Sequence, residues 1–465
     1  MLNNLSKSIL RATVFSLVIN PAIARDTLNL QQAINFAIEH NRELARSANT
    51  IESSSLSVRD SKTAFALRVN PMIETDFTNS GRSSYGLLAH KKLIWGTSIN
   101  VIANKVSDPE NPAGKQSKNL LFELEQPIFR NFGPLIHRAD IIQADNDLKS
   151  TRRRFEMLKA NLVMEVVWTF EEIVRLTHRM ESDNKTYERL HALYRVTKAK
   201  EVLGKITRID TLRVELLRGE AMSRLEISDE QLMSLKRDFG ELLGVVELGL
   251  VLVPNPELGF NNLQPEQAIS IALRNRLDYA QAQQDYEDAT RKTFIAKRQF
   301  LPDIKLVARY RHSSNNVYPY SPGNRDNFIG LSFRTDLNLS RRRIALSQSK
   351  IEKTSAAETV EILKHIVVRE VQQQLQVINR SHREVKIAER NMHLAASRLK
   401  LAHRLFGMGR GDNFSVTDAE QSMLQAENTV FSARAEARVS SYELPHVLGT
   451  LIEVDVGLKP GRVGR

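Results

Sequence analysis

The chain has no cysteine, only 6% aromatic residues, and nowhere the ~18 consecutive apolar residues that a membrane helix needs. Without cysteine there are no disulfides, no thiolate metal sites and no lipid-modified cysteine. With so few aromatics there is no stacking platform for nucleic acid, although 66 Lys and Arg against 54 Asp and Glu give a formal charge of +12. Basic and acidic residues alternate along helix-forming stretches, the pattern of solvated helix faces, so no nucleic-acid partner is expected. Catalytic patterns are missing too. There is no H-E-x-x-H, no G-x-S-x-G and no phosphate loop. Gly407 to Gly411 is glycine-rich, but a helix precedes it instead of a strand, so it is a turn. The eleven histidines are scattered, His178 and His191 thirteen apart, His365 and His382 seventeen apart, without the spacing of metal ligands. No enzyme activity, metal or cofactor is expected.

Glycine and proline are absent from Leu135–Lys200 and from Arg342–Leu405. A continuous helix over the first would run about 100 Å at 1.5 Å per residue. Phe155, Leu158, Leu162, Val166, Phe170 and Ile173 mark its apolar stripe. Ile206–Leu243 predicts a second helix, with Leu225, Leu232, Leu235, Phe239 and Leu242 in heptad-like order. In the second half Val367, Val371, Leu375 and Ile378 mark one stripe, and Val416, Ala419, Met423, Ala426 and Val430 another over Asn413–Leu444. The small residues Ala419, Ala426 and Ala433 allow close helix approach.

What is present at the N-terminus is a leader. Lys7 and Arg11 form a positive region, Ala12–Ile19 an apolar core, and Ala22-Ile23-Ala24 an A-x-A cleavage site. Residues 1–24 therefore predict export, and removing them lowers the charge to +10 (12 − 2).

The chain also says one thing twice. Leu28–Ala66 aligns with Leu263–Leu301 at a shift of 235, with Leu28, Gln32, Ala33, Ile34, Ala37, Ala45, Lys62 and Phe65 identical in both. Asp26–Ala66 predicts a helix that no Gly or Pro interrupts, and both copies leave an apolar-periodic helix through Pro71 or Pro302 for an alternating strand. The strands expected are Pro71–Thr78, Asn119–Gln126, Ile304–Arg311 and Phe328–Leu337, each with one apolar and one mostly polar face. Segment 86–105 predicts an extra hairpin or a bent extension of those strands. Ser107–Lys118 and Ser313–Asp326, rich in turn residues, predict exposed loops. Leu203–Gly244 and Met408–Gly449 are matching helix-pair tips of 42 residues at a shift of 205 (408 against 203). The domains expected are the leader, a first repeat over 25–254, a second over 255–449, and a loosely held tail over 450–465.

The duplicated Leu-x-x-x-x-Ala-Ile-x-x-Ala, long helix and Pro-initiated strand resemble the TolC-like outer-membrane efflux proteins over nearly all of the mature chain. The resemblance implies a mainly α fold with a small membrane β-barrel. Coiled-coil hairpins would form a trimeric α-barrel, and four strands per chain a 12-stranded β-barrel, since four alone cannot close a membrane barrel. It implies an outer-membrane exit duct of a tripartite efflux or type I secretion system. Its partners would be two further copies of the chain, a periplasmic adaptor (membrane fusion) protein, an inner-membrane pump and outer-membrane lipid. Val202–Asp210 resembles the family's adaptor-contacting tip, which singles out Gly204 and Lys205, with Gly409 and Arg410 as counterparts. Asp210 and Asp418 match acidic positions at the periplasmic entrance, and Ser415 stands where a further acidic residue is common. Their other reading is stabilisation of a helix N-terminus. The competing class is a soluble periplasmic coiled-coil scaffold, which would share the helices.

Overall fold

The computed structural model describes residues 28–75, 83–107, 116–245, 263–314, 325–335 and 338–460. The leader, the distal ends of both expected loops, the last residues of the first strand and the final five positions lie outside the described residues.

The elements run α1 (Leu30–His40), α2 (Arg42–Thr63), β1 (Arg68–Thr75), β2 (Ser83–Lys92), β3 (Ser98–Ser107), β4 (Gln116–Pro127), α3 (Pro134–His137), α4 (Ala139–Val202), α5 (Arg208–Leu243), α6 (Pro265–Asn275), α7 (Leu277–Arg298), β5 (Asp303–Ser313), β6 (Arg325–Arg334), α8 (Ser340–Gly407) and α9 (Asn413–Val447). The repeat is kept to the residue: α1 and α2 shifted by 235 positions are α6 and α7, at both ends of each helix. The tip glycines Gly204 and Gly409 match at a shift of 205 (409 − 204). The first copy is therefore 30 residues longer (235 − 205) between its opening helices and its tip. Among the described residues, the β2–β3 hairpin and the short α3 have no counterpart in the second copy.

The opening helix is broken in both copies, and in the first an uninterrupted one was expected over Asp26–Ala66. The first break is made by Asn41, an extended residue whose amide still donates to Ala37 O at 2.9 Å. Its side-chain oxygen accepts from the amides of Glu43 (2.9 Å) and Leu44 (3.1 Å), starting α2 as a helix cap does. Its side-chain amide donates to Leu242 O at 3.2 Å. At the matching break Arg276, also extended, donates to Asp278 at 2.6 Å and to Glu370.

By the density of internal contacts the chain forms two compact units. One takes residues up to 44, 159–264 and 372–446; the other takes 45–158, 265–371 and 447 onward. Each draws on both repeats, and the borders fall within α2, α4, α8 and α9 and at the start of α6.

The first unit is built of helices. Leu162, Val166, Phe170 and Ile173 of the expected α4 stripe are buried, as are Leu232 and Phe239 of α5, and Val416, Ala419 and Val430 of α9. Phe170 and Phe239 meet edge to face at 6.3 Å. Side chains this fully buried contribute about 1.5–3 kcal/mol each for the larger residues. α5 ends on Gly244 (φ +79°), whose absent Cβ would stand 2.8 Å from His40 O at the end of α1.

The second unit holds the sheet and the chain's end. All six strands join one antiparallel meander in the order β1-β2-β3-β4-β5-β6. Six strands stand where four were expected, because the extra hairpin of segment 86–105 is inserted between β1 and β4 and paired on both sides. The expected loose tail is also corrected up to residue 460. Val454 and Leu458 bury their side chains against Leu277, the guanidinium of Arg153 donates to Leu458 O at 2.8 Å, and Lys459 reaches Asn275 at 2.9 Å. Gly449 (φ +69°) lies so close to Asn275 that a Cβ would meet its carbonyl carbon at 2.9 Å.

Candidate functional site: an apolar sheet face and two helical tips

Paired residues of an antiparallel ladder share a face, so the register sorts every strand residue to one side. One face carries Val69 and Ile73 of β1, Tyr85, Leu87 and Ala89 of β2, Ile99, Val101 and Ala103 of β3, Leu120, Phe122 and Leu124 of β4, Ile304, Leu306, Ala308 and Tyr310 of β5, and Ile329, Leu331 and Phe333 of β6. This face is turned out: Ile73 is 82% and Ile329 80% exposed.

The other face is mixed, with Leu88, Ile102, Val106, Leu121 and Val307 among polar residues, and its charges are paired. His90, Asn100, Glu123 and Arg309 stand in one row across four strands. His90 contacts Asn100 at 2.5 Å, and Arg309 donates to Glu123 at 2.6 Å. Lys305 reaches Glu125 at 3.0 Å. Leaving a large apolar face in water while pairing charges on the reverse is opposite to a soluble sheet packed on a core, and is the alternation of a membrane barrel.

Dimensions agree. Ten residues of β2 rise about 33 Å, or ~25 Å along a membrane normal at a tilt near 40°, the height of a barrel's apolar band. Beyond the turn-proximal end lie exposed Trp95, Phe129 and Phe132, with Trp95 and Phe132 stacked at 5.7 Å, as in the aromatic girdles of such barrels. No helix among the described residues is long and apolar enough to cross a membrane. None of their side chains forms a cluster that could hold a metal ion.

The tips are built alike. α4 closes with Gly204 N donating to Glu201 O (2.8 Å) and Lys205 N to Lys200 O (2.9 Å); α8 closes with Gly409 N donating to Phe406 O (3.2 Å) and Arg410 N to Leu405 O (2.9 Å). Both glycines are left-handed (φ +66° and +73°), so turn geometry accounts for their identity, and both face open space. Gly204, Lys205, Gly409 and Arg410 are all exposed. Beside them Val202, Leu203, Ile209, Met408 and Phe414 are exposed as well, an apolar surface the sequence reading did not single out. Beneath it Leu190, Leu193, Val214, Ala221, Phe406 and Val416 form a core shared by α4, α5, α8 and α9. Asn413 ties the tips together by donating to Asp210 O at 3.1 Å.

The three expected entrance residues have local partners. Asp210 accepts from the Thr207 amide (3.3 Å) and hydroxyl (2.7 Å) at the start of α5. Asp418 pairs with Arg398 of α8. Ser415 donates its amide to Asp412 at 2.8 Å. Asp412, which sequence reasoning passed over, thus starts α9. The Ser415 hydroxyl and amide hold its carboxyl below the usual aspartate range. The signal was present: Asp three residues before Ser at the head of an apolar-periodic stretch is a helix start.

Deeper in the helices, charges are buried in pairs. Glu171, 1% exposed, accepts from Arg438 at 2.6 Å; burial pushes its carboxyl up while Arg438 pulls it back. Glu420 accepts from Arg189 at 2.7 Å and contacts His403 at 2.9 Å. These residues link α4, α8 and α9, and no sequence signal separates them from the solvated charges around them.

Residues 268–450 match the outer membrane efflux protein family. Nodulation protein T of Rhizobium leguminosarum bv. trifolii is 20% identical over 296 residues; the match covers 60% of this chain and 62%, less than two thirds, of that relative. Among solved structures, the outer-membrane channel OprN superposes with a TM-score of 0.70 at 15% identity, covering 90% of each chain. VceC of Vibrio cholerae gives 0.66 at 15% identity over 90% of this chain and 96% of its own. The CmeC outer membrane channel of Campylobacter jejuni gives 0.69 at 13% identity over 92% and 87%. At such identities the structures speak to fold alone. Residues 268–450 thus carry the sequence of the outer membrane efflux protein family, and over nine-tenths of its length the chain shares the fold of solved outer-membrane channels.

Proposed function

We propose that the mature chain is one subunit of a homotrimeric outer-membrane channel, the exit duct of a tripartite efflux or type I secretion system. The leader is removed on export, the sheet lies in the outer membrane, and the helices extend into the periplasm as two repeats, 25–254 and 255–449. The observation that carries this is the sheet. It exposes an apolar face, pairs charges on the other, and leaves both edges open. A soluble periplasmic scaffold would share the helices but has no use for such a face.

In this reading the tips dock a periplasmic adaptor through Gly204, Lys205, Gly409, Arg410 and the exposed apolar residues beside them. Asp210, Ser415 and Asp418 line the periplasmic entrance. Arg398 offsets the charge of Asp418, which makes the entrance only weakly cation-selective. Conduction is passive, and opening is a shift of the tip helices between two packings.

Deleting the gene should abolish resistance to, or secretion of, the transported molecule. The double variant Gly204→Trp/Gly409→Trp should transport poorly while still assembling as trimers: neither side chain meets a neighbour within the chain, and the left-handed backbone adds about 1–2 kcal/mol of strain at each exposed turn, which the matching Gly204→Ala/Gly409→Ala variant carries as a control. Undiminished efflux by that variant would remove the tips as the docking site. Mature protein recovered in the aqueous fraction after membrane extraction would favour the scaffold.

A further inference from the structure

The strand count departs from the twelve strands that four per chain would make. Resting on the trimeric reading above, we propose that the β2–β3 hairpin is part of the barrel wall. Three chains then close an eighteen-stranded barrel, each edge β6 pairing with β1 of the next copy.

Four observations carry it. First, β2 and β3 are interior strands, paired on both sides over all but Lys91 and Lys92 of β2, and are not an appendage to the sheet. Second, they obey the alternation of their neighbours. Leu87 and Ala103 lie level with Leu120 on the apolar face, and His90 and Asn100 level with Glu123 and Arg309 on the other. A hairpin folded into the lumen or laid over the outside would have no reason to share both faces of the wall.

Third, the edges are open and complementary. Among the described residues β1 pairs only with β2 and β6 only with β5, and both strands are exposed along nearly all their length. An even number of antiparallel strands leaves β1 and β6 running in opposite directions, so β6 can extend the ladder onto a neighbour's β1. An open, apolar edge is otherwise a site of aggregation. Fourth, the chain already contains the same junction. β4, the last strand of the first copy, pairs with β5, the first strand of the second. By the repeat, β6 stands to the next copy's β1 as β4 stands to β5. The apolar triplet Leu120, Phe122, Leu124 has its counterpart in Ile329, Leu331, Phe333, and Ala308, the partner of Leu124, corresponds to Ile73.

The consequence is width. At a strand spacing of ~4.8 Å and a tilt near 40°, eighteen strands give a wall radius of about 18 Å against ~12 Å for twelve. Barrels of that size enclose an aqueous channel even after their side chains are placed.

The test is electron cryo-microscopy of the full mature chain in lipid nanodiscs, with strands counted in cross-section. Eighteen strands in a trimer are expected. A trimer with twelve wall strands and the hairpin elsewhere overturns the inference and leaves the channel reading standing; a particle that is not a trimer overturns both. Because the chain has no cysteine, engineered thiols give an independent readout in whole cells. Leu87→Cys and Ala103→Cys should react with a water-soluble maleimide about tenfold more slowly than Ser84→Cys and Asn104→Cys on the other face. Ile73→Cys combined with Leu331→Cys or Phe333→Cys should form reducible disulfides between copies. Equal labelling of all four hairpin positions, or no inter-copy disulfide in either pair, contradicts the closure.

Discussion

The two copies of the repeat solve one structural problem with different chemistry. Each must break its opening helix after eleven residues, and each does so at the same relative position. The first copy uses a neutral cap, Asn41, which serves amides and a carbonyl at once. The second uses charge: Arg276 is held between Asp278 and Glu370. Burial alone would raise the Asp278 carboxyl, yet the hydrogen bond and charge of Arg276 outweigh it and hold it below the usual range. Backbone geometry is thus conserved between the copies while the interactions enforcing it are not. The lesson is that the break itself, and not a particular residue, is what the fold requires.

The comparison can be broken by removing each device. The largest effect is expected for Arg276→Ala, which leaves two carboxylates without their cation, both only partly exposed. A loss of about 2–3 kcal/mol, less than for a fully buried pair, should appear as a lowered thermal midpoint. Gly449→Ala should cost ~2 kcal/mol, since a Cβ there meets the Asn275 backbone and the residue is left-handed. Asn41→Ala, losing a cap, should cost about 1 kcal/mol by the same measurement. Gly409→Ala should cost least, ~1 kcal/mol or below, because its conformation is strained but the space around it is empty.

Acid sharpens the contrast. Asp278 has a folded-state pKa below its unfolded value, so its contribution is complete above roughly pH 4 and is lost as pH falls through the folded value. The penalty of Asp278→Asn in thermal midpoint should therefore shrink below about pH 4, whereas that of Asn41→Ala should not change with pH.

Much of this architecture was legible in the sequence because it is periodic. Val367, Val371, Leu375 and Ile378 are apolar at helical spacing, and each is buried. Ile329, Leu331 and Phe333 alternate, and they share the outward face of a strand. The glycines of the tips announced their turns, because only a left-handed residue closes those helices in this way. The breaks at Asn41 and Arg276 were not legible. An Asn or Arg inside a helical pattern is ordinary, and only the partners brought from elsewhere, Leu242 and Glu370, make it a break. The anchored tail was hidden for the same reason. Arg153 receives Leu458 from 305 positions away, and nothing in residues 450–460 advertises it. At the tips, Asp418 could be matched by resemblance, but its pairing with Arg398 needed the two helices side by side.

The most direct test of the account is the mass and phase of the mature protein. Native mass spectrometry of detergent-extracted outer membranes should give one species at three times the protomer mass, with none of the chain left in the aqueous fraction. A monodisperse monomer, stable in water without detergent, would contradict a molecule whose sheet is completed by its neighbours.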